Sequence, residues 1–417
     1  MSKWASNSQL LLGTSDQLRR AFQIVDQWVI RHPLLTLVSI LGSGLLPLIK
    51  ALSTPQQSDV GIYQSAAEAI TNGKIPYEDF LLEYPPYVIP IFLLANIFGP
   101  DNYTISFKLL TLACDTLLKC VLLAVGLRAG NGIRSFLPIA IYSFAIPFIS
   151  HFYLQRYDVF VACVSTIAIV FFSFGRYFLS GVAVAIGVNL KLYPIVFVLP
   201  LWSLAKQPRK SKLFLGGVMA GMIPVLLGSF FFPWWRYLSF HTDRGLQADS
   251  LVASILWFGK HLAVFDVTWE GGKRCMEVHG GIVERLLPYV RIQFAFAVAI
   301  TVLLATVRAT RQSGRSPEQL CILLLAPLLA FVGFNFVFTP QFTIWILPLA
   351  AISSLNKDLR IAGWSLFAIG LTFCFYPSEE YEHSGLNLSQ TLALLCRNLV
   401  FIGIWMKILG SWLKKSE

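Results

Sequence analysis

"LLTLVSILGSGLLPLIKALSTPQQSDVGIYQSAAEAITNG", residues 34 to 73, runs from an apolar stretch directly into a polar one. Its first half, through Leu52, is long enough for one bilayer crossing, which takes about 20 mostly apolar residues. In its second half Asp59, Tyr63, Ala66, Ala67 and Ile70 recur at helical spacing, so "SDVGIYQSAAEAITNG" reads as a short amphipathic helix lying along the membrane. Asn72-Gly73 supplies a left-handed stop, and Ile75-Pro76 keeps the chain from resuming the helix. A crossing followed by a helix along the surface points to an all-α membrane protein, and the apolar segments that follow make it polytopic.

The rest of the sequence extends that pattern. The chain has 417 residues, 56% hydrophobic and 13% charged, with a mean hydropathy of +0.65. A soluble protein of this size holds roughly twice that charged fraction. The net charge of +11 does not point to nucleic acid. The basic residues sit in short loops such as "RKSK", "RATRQSGR" and "NKDLR", where they read as the cytoplasmic excess of a membrane protein and as contacts to anionic lipid. Six of the seven cysteines lie in apolar stretches and only Cys275 falls in a polar loop, so neither a disulfide framework nor a metal-ligand spacing is expected. The first apolar run follows a prefix too long for an ordinary signal-peptide n-region and is read as an uncleaved spanning helix.

Apolar segments recur at residues 34–52, 86–99, 104–127, 135–150, 158–174, 178–205, 213–232, 288–307, 319–337, 341–356, 361–376 and 389–409, predicting about twelve membrane segments in one domain over residues 34–417. Residues 1–33 form a cytoplasmic amphipathic segment. The basic loops put both termini inside and two long polar loops, 53–85 and 233–287, outside. Between 86 and 205 two arrangements are open. If "RAGNGIR" (128–134) is inside, one of the segments 86–99 and 104–127 does not fully cross and 178–205 is broken near Lys191; if it is outside, both cross and 178–205 is one long helix. The first puts Arg128, Arg134 and Arg176 inside and "HFYLQRYD" outside, and is preferred.

The candidate functional residues cluster on the outer side. Asp59 stands in the first turn of the amphipathic helix, where it could equally complement the helix N-terminus. Glu83 and Tyr84 precede two prolines that bias the backbone to extended conformations at the membrane surface. Arg156 and Asp158 flank a membrane boundary, and i,i+2 spacing on a helix would turn them away from each other. Lys191 is an ionisable residue in a long apolar run, which is costly and calls for a function. "YLSFHTDRGLQADS" brings His241, Arg244 and Gln247 together, Arg presenting a fork suited to phosphate oxygens. Gln341 sits where two apolar segments meet. Asp115 and Lys119, at i,i+4, are read as a neutralising structural pair.

The order of these motifs resembles glycosyltransferase family 87, polyprenol-phosphate-sugar-dependent enzymes of the GT-C superfamily. The stretches that carry the resemblance are Asp59/Tyr63, "GKIPYEDFLLEYPP", "RYD", "KLYP", "RGLQADS" and "TPQFTIWILP", across residues 55 to 350. The last motif is usually closer to S-P-Q-Y, so Thr339 and Phe342 are mild departures. The resemblance implies a GT-C fold with an extracytoplasmic juxtamembrane helix whose early Asp, here Asp59, is the catalytic base. It also implies a polyprenyl-phosphate-linked hexose donor, mannose before others, an inverting reaction, and a lipid- or glycan-linked acceptor at a bacterial cytoplasmic membrane.

A carboxylate in hydrogen-bond reach can take the acceptor proton, while Arg244, Lys191 and Arg156 can offset the charge of the lipid phosphate that departs. Tyr63, Tyr84, His241, Gln247 and Gln341 complete the expected substrate contacts. No cofactor is expected, because the leaving group needs no nucleotide; the acids could hold a cation, but no ligand spacing demands one, and the metal requirement stays open. Two alternatives remain. A carrier or flippase for lipid-linked sugars would carry charged or broken pairs in two matched halves, a symmetry not seen here; a polysaccharide polymerase would share topology and lipid substrate.

Overall fold

The computed structural model describes residues 26–53, 58–242, 244–271, 275–312, 314–378 and 380–413, and the expected amphipathic segment 1–33 lies almost entirely outside them. The first long helix, α1 (Pro33–Leu52), starts on a proline whose missing N–H costs nothing at that position. Thr36, Ile40, Gly44, Leu48 and Ala51 form its one buried stripe, packed on α5 (Leu137–Tyr153), while Leu34, Leu35, Val38, Leu45 and Leu46 are exposed. Exposed aliphatic side chains in that number suit lipid. The polar stretch after it folds as the spacing predicts: α2 covers Ser58–Thr71, buries Val60, Tyr63, Ala66 and Ala67, and ends at Gly73 with φ +83°.

Among the described residues six helical stretches are long and apolar enough to cross a membrane: Pro33–Leu52, Pro100–Ala129, Gly132–Tyr153, Pro208–Gly228, Gly281–Arg311 and Leu388–Leu413. Five shorter apolar helical stretches accompany them, Asp158–Ser173, Tyr177–Leu190, Tyr193–Leu204, Pro317–Gly333 and Pro340–Ser353, so only half of the expected twelve segments have full spanning length. Segment 86–99 yields only α3 (Val88–Ala95) before the chain turns at Gly99, φ +84°. After α4 (Tyr103–Ala129) and α5 come α6 (Asp158–Ser173) and α7 (Tyr177–Leu190), each spanning less than about 25 Å at the helical rise of ~1.5 Å per residue. At Lys191 the backbone becomes extended (φ −161°, ψ 139°), and Pro194 heads a 3-10 turn, Tyr193–Phe197, before α8 (Val198–Leu204). The run 178–205 is therefore broken at Lys191 and is not one long helix. The later helices are α9 (Pro208–Gly228), α12 (Gly281–Arg311), α13 (Pro317–Gly333), α14 (Thr343–Ser353), α15 (Arg360–Thr372) and α16 (Leu388–Leu413). Helices α13 and α14 are buried on nearly every side, and a helix enclosed by protein needs no lipid-matched length.

Small residues set the closest helix contact. A Cβ on Gly217 of α9 would fall 2.0 Å from the carbonyl oxygen of Phe178, one on Gly181 of α7 would fall 2.1 Å from that of Phe214, and one on Gly221 would meet Ala185 at 2.7 Å. Where lipid is as apolar as leucine, such close backbone approach drives helix association.

The bundle has two chemically distinct ends. At one, Asp26 accepts from the Ile133 N–H (2.7 Å), Arg128 lies over the Phe174 ring (4.4 Å), and Arg315 and Lys206 bond the carbonyls of Leu204 and Gln312 (3.0 and 2.8 Å). "RAGNGIR" thus shares an end with "RATRQSGR", as in the preferred arrangement. At the other end the polar loop 233–287 forms a folded cap: α10 (Tyr237–Thr242), β1 (Leu246–Gln247), α11 (Leu251–His261), β2 (Thr268–Gly271) and β3 (Met276–His279). The strands form an antiparallel sheet in the order β1-β3-β2, with Leu246 and Trp269 both opposite Val278. Trp257, Trp269, Val278, Phe375, Tyr381 and Leu386 share its hydrophobic core, and the indole N–H groups of Trp257 and Trp269 donate to the carbonyls of Leu386 and Tyr381, both at 2.8 Å.

Candidate active site

Between the cap and the bundle lies a cavity of about 780 Å³. Asp59, Glu83, Tyr84, Arg156, Lys191, Arg244, Gln247 and Gln341, eight of the eleven residues singled out from the sequence, line it. They arrive on six pieces of chain. Asp59 comes from the first turn of α2. Glu83 follows a turn in which Tyr77 takes φ +68°, a left-handed conformation costly for a tyrosine. That turn is held by the Tyr77 hydroxyl donating to the Tyr84 carbonyl (2.7 Å) and by Arg236 donating to the Tyr77 carbonyl (3.2 Å). Arg156 sits in the turn between α5 and α6, Lys191 at the break after α7, Arg244 just before β1 and Gln247 within it, and Gln341 in the short 3-10 turn before α14.

Three acid–base pairs organise the site. Asp59 pairs with Arg156. Lys191 Nζ lies 2.7 Å from Asp158 Oδ1, and Arg244 Nη2 lies 3.6 Å from Glu83 Oε2. The expected opposition of Arg156 and Asp158 is resolved in an unforeseen way: Arg156 precedes the helix that Asp158 begins, so each finds its partner on another element. Asp158 is fully buried and does not line the cavity. Its Oδ1 also accepts from the indole N–H of Trp345 (2.7 Å), which makes it the anchor that holds Lys191 in place. Aromatic faces surround the ammonium, with the ring centres of Tyr157, Trp345 and Phe342 at 4.8, 5.0 and 5.6 Å. An ammonium so held is desolvated and strongly attracted to a further anion.

Tyr63 also lies behind the wall. It stacks on Phe92 (4.5 Å between ring centres) and meets Tyr84 and Tyr157 edge-on at 5.5 and 5.8 Å, so it supports two rings that do line the cavity. The side chain of His241 lies outside the described residues. Arg244 has a buried Nε, and Gln247 a buried carbonyl oxygen, with no hydrogen-bond partner among the described residues. Buried polar atoms left open at a cavity wall are ready to receive a ligand. Arg244 is placed through its backbone, whose carbonyl accepts from Arg291 (2.7 Å).

One buried network went unnoticed in the sequence. Behind Gln247, Asp249 is fully buried, accepts from the Tyr381 hydroxyl, and offers its backbone carbonyl to Arg397 (2.8 Å) and Asn398 (3.1 Å). Burial pushes the Asp249 carboxyl from 3.8 up to about 6, against the opposing pull of Arg397 and Tyr381. The available signal was Arg397 itself, a lone cation in the apolar run "LALLCRNLVFIGIW".

The arrangement can hold an anion among three fixed cations and place a carboxylate at the same wall. Glycosyltransferase family 87 matches residues 80–334, a span that contains Glu83, Arg156, Lys191, Arg244 and Gln247 but neither Asp59 nor Gln341. No curated protein matches the chain. With more than half of its length matched, the chain belongs to glycosyltransferase family 87.

Proposed function

We propose that the protein transfers a hexose, mannose in the first instance, from a polyprenyl-phosphate donor to a lipid- or glycan-linked acceptor on the extracytoplasmic face, with inversion at the anomeric carbon and Asp59 as general base. The observation that carries this reading is the Asp59–Arg156 pair at the wall of a cavity that also presents Lys191 and Arg244. The amphipathic helix α2, which follows α1 and bears Asp59 in its first turn, supports the GT-C arrangement as well.

In this mechanism the acceptor hydroxyl oxygen forms a bond to the anomeric carbon as the bond from that carbon to the phosphate oxygen breaks. Asp59 takes the hydroxyl proton. The bonding electrons leave with the phosphate, whose charge is met by Lys191, Arg244 and Arg156. The phosphate competes with Asp59 for Arg156, so donor binding frees the carboxylate for the acceptor. Gln247 and Gln341 offer uncharged amides to sugar hydroxyls, and Tyr84 and Tyr157 offer ring faces to the sugar.

Detergent-purified protein incubated with radiolabelled polyprenyl-phosphate-mannose and extracted membrane lipids tests the donor. Label appearing in a new lipid supports the reading. Label remaining wholly in the donor, with sugar nucleotides serving instead, would reject a lipid-phosphate leaving group.

A further inference from the structure

At the end of the bundle opposite the large cavity, a second cavity of about 460 Å³ opens where α4, α6 and α13 converge. Two guanidiniums border it. Arg128, in the last turn of α4, lies over the Phe174 ring at 4.4 Å, which fixes its position while leaving its N–H edge open. Arg315 donates to the Tyr177 hydroxyl (2.5 Å) and to the Leu204 carbonyl (3.0 Å), which uses two of its five N–H groups. Among the described residues neither is ion-paired to a carboxylate. The nearest acid in sequence, Glu318, accepts from the Ser316 hydroxyl at 2.5 Å. Lys210, 5.7 Å from the Tyr177 ring, adds a further positive charge nearby. The remaining walls are Val125, Ala129, Phe174 and Pro317, with the hydroxyl-bearing Ser173 and Ser316 between them.

Two positioned guanidiniums at the mouth of a partly apolar cleft between membrane helices suit a phosphate attached to a hydrophobic body. The geometry points to a binding site for the phosphate group of an anionic phospholipid, distinct from the transferase cavity. Arginine forks match phosphate oxygens, and basic clefts between membrane helices attract anionic headgroups. The apolar walls favour a lipid over a free anion, because a hydrated phosphate gains nothing from Val125, Ala129 or Pro317.

The test uses delipidated full-length protein in neutral detergent, titrated with dioleoylphosphatidylglycerol, dioleoylphosphatidylcholine or inorganic phosphate, with bound lipid counted by native mass spectrometry. Wild type is expected to retain phosphatidylglycerol over phosphatidylcholine. Arg128→Gln, altered at an exposed side chain, is expected to bind it about tenfold more weakly, as the loss of one charge-assisted contact implies. Arg285→Gln, a charge-matched change near the start of α12 at the opposite end, is expected to bind as wild type does. Equal retention by Arg128→Gln, or no preference over phosphatidylcholine, would overturn the site. Displacement of the lipid by an equal concentration of inorganic phosphate would overturn the lipid and assign the cleft to a free anion.

Discussion

At the scale of single residues, the organising feature is that each cavity cation is held by an acid from elsewhere in the fold. Lys191 and Asp158 show what this means in free energy. Removing one member of a buried pair strands the other, at a cost of about 3–5 kcal/mol, whereas neutralising both costs far less. Lys191→Met should therefore unfold at a clearly lower temperature than wild type, and Lys191→Met combined with Asp158→Asn should recover much of the loss. Sugar transfer should stay abolished in both. Recovery of transfer along with stability would show that Lys191 serves the fold alone. Asp249 gives a pH signature. Its folded carboxyl holds a proton up to about 6, above the ordinary 3.8, so the folded state binds more protons in that window. Its stabilising contribution is complete below pH 3.8 and is lost as pH rises through about 6. Thermal melts from pH 4 to 7 should show a fall in wild type that is reduced in Asp249→Asn.

At the scale of elements, the sequence is informative where local chemistry decides and silent where distant partners do. Residues 58–71 are legible as a helix because their apolar period and the Gly73 stop are local. The break at Lys191 is foreshadowed by Pro194. The cap is not legible: its core joins Trp257 and Trp269 to Tyr381 and Leu386 across more than a hundred residues. Counting apolar runs does not separate lipid-facing helices from enclosed ones, because α13 and α14 are as apolar as those that face lipid. The α7–α9 contact offers a test of element packing. Gly217→Val should lower the melting temperature markedly, since overpacking costs about 1–3 kcal/mol and the clash here is with backbone. Gly216→Ala, at a position with nothing within 4 Å of its Cβ, should be tolerated. Similar melting of the two variants would contradict the close approach.

At the scale of the whole molecule, the two ends divide the labour: basic loops at one, a cavity lined by acids and cations at the other. The candidate site was legible to the extent that eight of eleven residues meet at one cavity. The roles of Tyr63 and Asp158 were not, because a side chain behind a wall and one in front of it share the same sequence spacing. The two-ended arrangement predicts sidedness. In a background lacking native cysteines, Asn131→Cys and Gln312→Cys should both be shielded from an impermeant maleimide in intact cells, and Glu270→Cys should react. Reaction at Asn131→Cys with protection at Gln312→Cys would put the two loops on opposite sides.

The most direct test of the account is the rate of hexose transfer from polyprenyl-phosphate-mannose by Asp59→Asn beside wild type, each shown to be folded by its melting temperature. Loss of general-base catalysis predicts a fall in kcat of about 10²–10⁴-fold in a protein that still melts cooperatively. A folded Asp59→Asn that transfers sugar at the wild-type rate would contradict the account and turn attention to Glu83.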